Sequence, residues 1–216
     1  MLAPMHSKAP SDFARLRRHH ERGAYDTATI HAILDAALWC HVGHVAQGRP
    51  VVLPTFHWRQ GERVYWHASA ASRLAKAAAE APETCLTVSL LDGWVLARTP
   101  FNHSANYRSV VCFGRPVVVT DEDEKRESLR LFFEKLYPGR WEQCRPPTRQ
   151  EMKATAVLWL PLTEASAKIR TGGPHDDDAD LAWPVWAGVL PVRFGAGAPL
   201  PEERLPPDLA PPATPL

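Results

Sequence analysis

Cysteine is scarce in this chain: four in 216 residues, at positions 40, 85, 112 and 144. No two of them form a CxxC pair, which excludes a structural zinc knuckle. Cys40, Cys85 and Cys112 sit in apolar strand-like runs and read as small buried hydrophobes of a reducing compartment. Long apolar runs are missing too. None approaches the roughly 20 residues that cross a bilayer, so no membrane partner is expected. Net charge is nearly absent, with 25 Lys and Arg against 24 Asp and Glu, which gives no ground for a nucleic-acid partner. The Walker, GxGxxG, GxSxG and HExxH spacings do not occur, which disfavours nucleotide hydrolases, Rossmann enzymes and serine or zinc hydrolases. The first ten residues carry no apolar core of a secretory signal, so the expected location is cytoplasmic.

What is present is a run of strand-like segments punctuated by tight turns. A helix is expected from Asp26 or Thr27 to about Ala37, with Ile30, Ile33 and Leu34 at helical spacing. Strands follow over 39–45, 51–58 and 63–67, joined at Gln47-Gly48 and Gln60-Gly61. Pro54 points to a bulge or an edge position within the second of these. An Ala-rich helix is expected over 72–80, capped by Ser69 or Ser72 and stopped by Pro82. A strand over 84–91, a turn at Asp92-Gly93 and a strand over 94–97 come next. A long strand over 107–119, bent near 114–116, precedes a helix from 124 to 137 opened by Asp121. Residues 151–162 read as a strand, and 183–191 as a last extended segment. The pattern is mainly β with flanking helices (α+β): an antiparallel barrel of six or more strands. Residues 1–14 are expected to be a flexible leader, 15–192 the domain, and 193–216 a Pro-rich disordered tail.

Three polar segments stand where strands end or helices begin: His67–Arg73, Asn102–Ser109 and Ser166–Pro174. Hydroxyls, cations and unpaired backbone N–H groups at such places suit a phosphorylated cofactor. The histidines at 41, 44, 57 and 67 lack chelating spacing, so no metal site is expected. Asp176–Asp178 lacks the Gly and Glu of a calcium loop.

In their order and spacing, several motifs resemble the FMN-binding split β-barrel family of the pyridoxamine 5′-phosphate oxidases. They include Pro50-Val-Val-Leu-Pro-Thr55, Tyr65-Trp-His-Ala-Ser69 and Ser72-Arg73. They continue with Ser104-Ala-Asn-Tyr-Arg-Ser-Val110, Pro138-Gly-Arg-Trp141, Ala165–Arg170 and Trp186–Pro191. The likeness spans about residues 22–192, and its nearer branch is the flavin-nucleotide-binding one. It implies a homodimer that holds FMN at the subunit interface. The FMN phosphate then falls to Ser69, Ser72, Arg73 and Lys76, and the ring to Val52, Leu53, Pro54 and Thr55. It also puts His67, with Ala68, near the ring as a candidate proton-transfer residue. Asn106, Arg108, Ser109, Lys168, Arg170 and Trp186 are the remaining expected contacts. The function so implied is an FMN-dependent oxidoreductase acting on a small-molecule substrate. The alternatives are a non-catalytic flavin-binding or redox-sensing protein and a haem-handling split barrel.

Overall fold

The computed structural model describes residues 8–72, 75–76, 80–206 and 208–211. Ten strands form one mainly antiparallel sheet. They are β1 (Gly23–Ala24), β2 (Trp39–Ala46), β3 (Arg49–Gln60), β4 (Arg63–Ser69) and β5 (Thr84–Leu96). The others are β6 (Ser104–Gly114), β7 (Val117–Val118), β8 (Thr155–Pro161), β9 (Ala165–Arg170) and β10 (Gly188–Pro191). The spatial order is β1-β9-β6-β5-β2-β3-β4-β8-β7, with β10 on β5. The path does not close, and the result is the expected mainly β split barrel. Four helices flank it among the described residues: α1 (Thr27–Ala36), α2 (Glu122–Leu136), α3 (Arg140–Gln143) and α4 (Arg149–Ala154).

β3 organises the split. Its residues 49–56 pair with β2, and only 57–60 pair with β4. β4 then continues along β8 through Ser69, so the two halves of the sheet part beyond Phe56. Pro54 lies in the stretch of β3 paired on one side only, where a missing N–H costs least. The β2–β3 turn takes Gln47 and Gly48 into the left-handed region, as a two-residue hairpin requires.

Each half has its own apolar core. In the first, Ile30, Ile33 and Leu34 of α1 fill the barrel against Val42, Trp66, Val88, Val110 and Leu158. Asp26 opens α1 by accepting from Thr29 N at 2.8 Å. In the second, Leu129, Phe132 and Leu136 of α2 cover Trp58, Tyr65 and Val157. Asp121 caps α2 by accepting from Glu124 N at 2.8 Å. Three acidic residues in its first turn suit the helix dipole. Lys135 near its end donates to Leu34 O at 2.9 Å and Ala37 O at 2.6 Å. One ammonium thus satisfies open carbonyls at the end of α1 and ties the two cores together.

Several expectations need correction. Asp92-Gly93 is not a turn: β5 runs through it with a bulge between Leu91 and Gly93. Gly93 is needed there because β10 approaches closely, and a Cβ would lie 3.0 Å from Leu190 O. Residues 151–154 are helical, because Thr148 and Glu151 form a reciprocal capping box that opens α4; the strand starts at Thr155. The expected long strand breaks after Gly114, leaving β7 as a separate two-residue strand on β8. Of 183–191, only 188–191 is strand. The end of the expected leader is held to the domain, with Ser11 donating to Glu164 at 2.6 Å and Ala14 buried. No described helix is long and apolar enough to cross a membrane.

Leu34 is fully buried at the centre of the first core. Leu34→Ala is expected to lower unfolding free energy by about 2–5 kcal/mol, read from the denaturant midpoint at unchanged slope.

Candidate functional site

A groove of about 1070 Å³ opens between the tip of the β2–β3 hairpin and the residues Lys76, Glu80, Ala81 and Pro82. Val51 and Leu53 share its wall because alternate strand residues face one side; Val52 and Pro54 fall on the other and are exposed. Lys76, Arg49 and Glu80 supply its charges. His44 also lines it, although only 7% exposed. Burial lowers the pKa of its imidazole and keeps it uncharged. The sequence reading did not select His44, because nothing in its spacing distinguishes it from a strand histidine.

At the head of the Ala-rich segment Ser72 Oγ accepts from Ala75 N at 3.1 Å, and Ser72 O accepts from Lys76 N at 3.3 Å. This is the geometry of a helix cap. Ser69 is exposed and its carbonyl accepts from Ser72 N at 2.9 Å. Arg73 lies outside the described residues. Among the expected contacts, the structure therefore gathers Leu53 and Lys76 into one groove, with Ser72 a turn before Lys76.

His67 lines a different cavity, a pocket of about 420 Å³ beneath α2, α3 and α4. Its ring centre lies 4.8 Å from that of Phe132 and 6.2 Å from that of Trp58. Leu129, Phe133, Trp141 and Met152 complete apolar walls, and Arg145 and Cys144 stand at the edge. Arg145 is mostly exposed and pairs with Glu151. That pairing, with the Thr148 N–H, holds the Glu151 carboxyl down to about 2. Burial lowers the His67 pKa, and its Nδ1 is sealed from solvent with no hydrogen-bond partner. The pocket thus combines apolar walls, one imidazole and a polar rim. His67 and the groove are linked through the backbone: Thr55 Oγ1 donates to His67 O at 3.3 Å. Ala68 follows it, half-buried.

The remaining expected residues stand apart from both cavities. Arg108 makes two hydrogen bonds to Asp92, at 2.9 and 2.7 Å, and borders a third pocket of about 410 Å³ with Leu38, Trp39 and Phe194. Ser109 Oγ donates to Lys168 O at 3.4 Å. Lys168 and Arg170 do not present one ligand-facing pair: Lys168 Nζ reaches Arg18 O at 3.1 Å, while Arg170 is only 6% exposed. Arg170 donates to Asn106 Oδ1 and to Gly173 O, and Asn106 donates to Gly172 O at 3.1 Å. The two residues lock the 172–173 turn onto the sheet. Trp186 is exposed and folds over Gly188, where a Cβ would meet its ring at 2.8 Å. His57 is a core histidine: burial drives its pKa down to about 3, and its Nε2 meets Leu34 O at 2.9 Å. Among the described residues no three His, Cys, Asp or Glu side chains cluster as metal ligands. Asn106→Ala removes the carbonyl that faces the buried guanidinium. It is expected to cost about 1–3 kcal/mol of stability, measured by chemical denaturation.

With the geometry in place, comparison with known proteins becomes informative. Residues 26–169 match the family model described as pyridoxamine 5′-phosphate oxidase. The flavocytochrome Anf3 from Azotobacter vinelandii superposes with a TM-score of 0.90 at 49% identity, over 95% of this chain and 96% of that one. The FAD and haem binding protein from Mycobacterium smegmatis superposes with a TM-score of 0.84 at 33% identity, over 88% and 94%. No curated protein matches the chain.

Proposed function

Because the chain belongs to the pyridoxamine 5′-phosphate oxidase family, we propose that it holds a flavin along β3 and a haem in the His67 pocket, as an electron-transferring oxidoreductase with a small-molecule substrate. The flavin part follows from the family. The haem part is carried by one observation: the half-buried imidazole of His67, whose pKa burial lowers, lines an apolar pocket under α2, α3 and α4. Its support from outside the chain is the likeness to a flavocytochrome over 95% of its length.

The residues fit the group. A neutral imidazole is the common protein ligand to haem iron. Phe132, Phe133, Leu129, Trp141 and Met152 would give the flat macrocycle an apolar slot, and Arg145, paired here with Glu151, is the cation at the rim. Haem supplies one-electron chemistry and flavin one- or two-electron chemistry; the protein holds and tunes both. Lys76 and Ser72 serve the flavin phosphate, and the exposed edge of β3 near Val52–Thr55 offers backbone groups to its ring. Arg108, Ser109, Lys168 and Trp186 lie too far round the sheet to join the same subunit's groove. Their ligand role therefore needs a second copy of the chain, placed against the exposed apolar residues Trp94, Trp186 and Leu190 of β5 and β10. FMN, read from the sequence likeness, and FAD, held by the mycobacterial relative, are the two flavins to distinguish.

The absorption spectrum of purified protein tests this reading. A Soret band together with flavin bands is expected, and flavin bands alone would remove the haem. The pH dependence has a fixed sign. The His67 pKa lies below the usual 6.5, so its neutral, iron-binding form persists as pH falls through that value. The Soret band is expected to persist to lower pH than an unperturbed imidazole would allow and to be lost in more acidic solution.

A further inference from the structure

We propose that the pocket of about 410 Å³ beside Arg108 binds an uncharged, flat aromatic carbonyl compound, of which a quinone is the redox-active case; the redox role rests on the electron-transfer reading above. The site follows from a gap in strand pairing. One edge of β5 pairs with β6 from 84 to 95. The other edge pairs with β2 over 84–87 and with β10 over 93–96. Between those two partners, residues 88–92 have no strand beside them among the described residues. Val192 N donates to Asp92 O at 3.0 Å and brings the chain end across the opening. Backbone donors and acceptors on an open edge need partners. Here the edge opens on a cleft whose volume falls within the range of about 300–1000 Å³ that serves small-molecule sites. Arg108, whose contact to the flavin would need a second copy of the chain, thus has a pocket in its own subunit.

The lining sets the class of ligand. Leu38, Trp39, Leu91 and Phe194 wall the cleft, with Trp39 45% and Phe194 81% exposed. A flat ligand seated there takes aromatic surface out of water. The bulge between Leu91 and Gly93 leaves Asp92 as the extra residue of β5, and bulges re-aim side chains beside sites. Its carboxylate accepts from Arg108 Nε and Nη2 at 2.9 and 2.7 Å. The pair is neutral overall, so it does not draw in a second anion. Arg108 Nη1 stays available, with no hydrogen-bond partner among the described residues. An uncharged carbonyl oxygen suits that donor, and a ring hydroxyl suits the Asp92 carboxylate. The oxidised and the reduced form of a quinone therefore both find a partner. Trp39 also joins this cleft to the His67 pocket. The ring centres of Trp39 and Phe56 lie 4.6 Å apart, those of Phe56 and Phe132 5.9 Å, and those of Phe132 and His67 4.8 Å. A ligand against Trp39 stands at one end of a continuous aromatic path to the imidazole.

The test is calorimetric titration of naphthoquinone and of naphthoate, its anionic counterpart in shape, into the full-length protein as purified, with bound flavin read by absorption in the same samples. The wild type is expected to bind naphthoquinone about tenfold or more tightly than naphthoate, a difference of about 1.4 kcal/mol. Arg108→Ala should weaken naphthoquinone about tenfold. Leu91→Trp fills the cleft from an exposed position and should abolish binding. Flavin content should stay unchanged in both variants. Naphthoate bound as tightly as naphthoquinone, or variants that bind like the wild type, would overturn the inference. So would variants that lose their flavin together with binding, since the cleft would then belong to the flavin of a second copy. A wild type that carries flavin and binds no naphthoquinone overturns this inference and leaves the flavin reading standing. A wild type that binds naphthoquinone without carrying flavin supports the pocket and counts against the flavin reading alone.

Discussion

Everything in this molecule depends on how β3 divides its backbone hydrogen bonds. A strand within a sheet normally pairs along both edges. β3 gives 49–56 to β2 and only 57–60 to β4, so the sheet opens beyond Phe56. On one side of the opening the hairpin, with Lys76 and Glu80 to Pro82 facing it, encloses the groove. On the other, β4 turns away along β8 and carries His67 under α2. Both cavities are consequences of a single change of pairing partner. The Thr55 hydroxyl on the His67 carbonyl is a polar stitch across the gap.

The second core supplies what a bare split barrel lacks. The segment from Asp121 to Ala154 folds as three helices, each with a local reason to form: an Asp cap on α2, a glycine in the left-handed region before α3, and a capping box on α4. Together these helices roof the His67 pocket with aromatic and aliphatic side chains. Lys135 fixes the roof to the barrel by satisfying the end of α1. The pocket is therefore a property of packing between distant segments.

That explains what was legible in the sequence. Period-two alternation and glycine turns gave the three-strand meander of β2, β3 and β4 and both of its hairpin turns. Asp26 and Asp121 announced the helices they cap. Asp92-Gly93 misled because the same dipeptide that makes a turn also permits a bulge, and only the closeness of β10 decides between them. Residues 151–154 misled because their apolar pattern continues into β8 and hides the Thr148–Glu151 box. At the sites, Lys76 and Leu53, expected from the likeness to a family, line one groove. Asn106 and Arg170, expected as cofactor contacts from the likeness, are hydrogen-bonded to each other, a pairing their sequence positions do not show. The helix roof over His67 was not legible, since Phe132 lies 65 positions away and reads in sequence as ordinary core. His44 gave no signal before its burial was known.

Native mass spectrometry of the wild type and of His67→Ala bears most directly on two separate cofactor sites in one chain. Each wild-type chain should carry the mass of one flavin and one haem, and His67→Ala should lose the haem mass alone. A variant that keeps its haem, or that sheds both groups together, would contradict the assignment of the two cavities to two different cofactors.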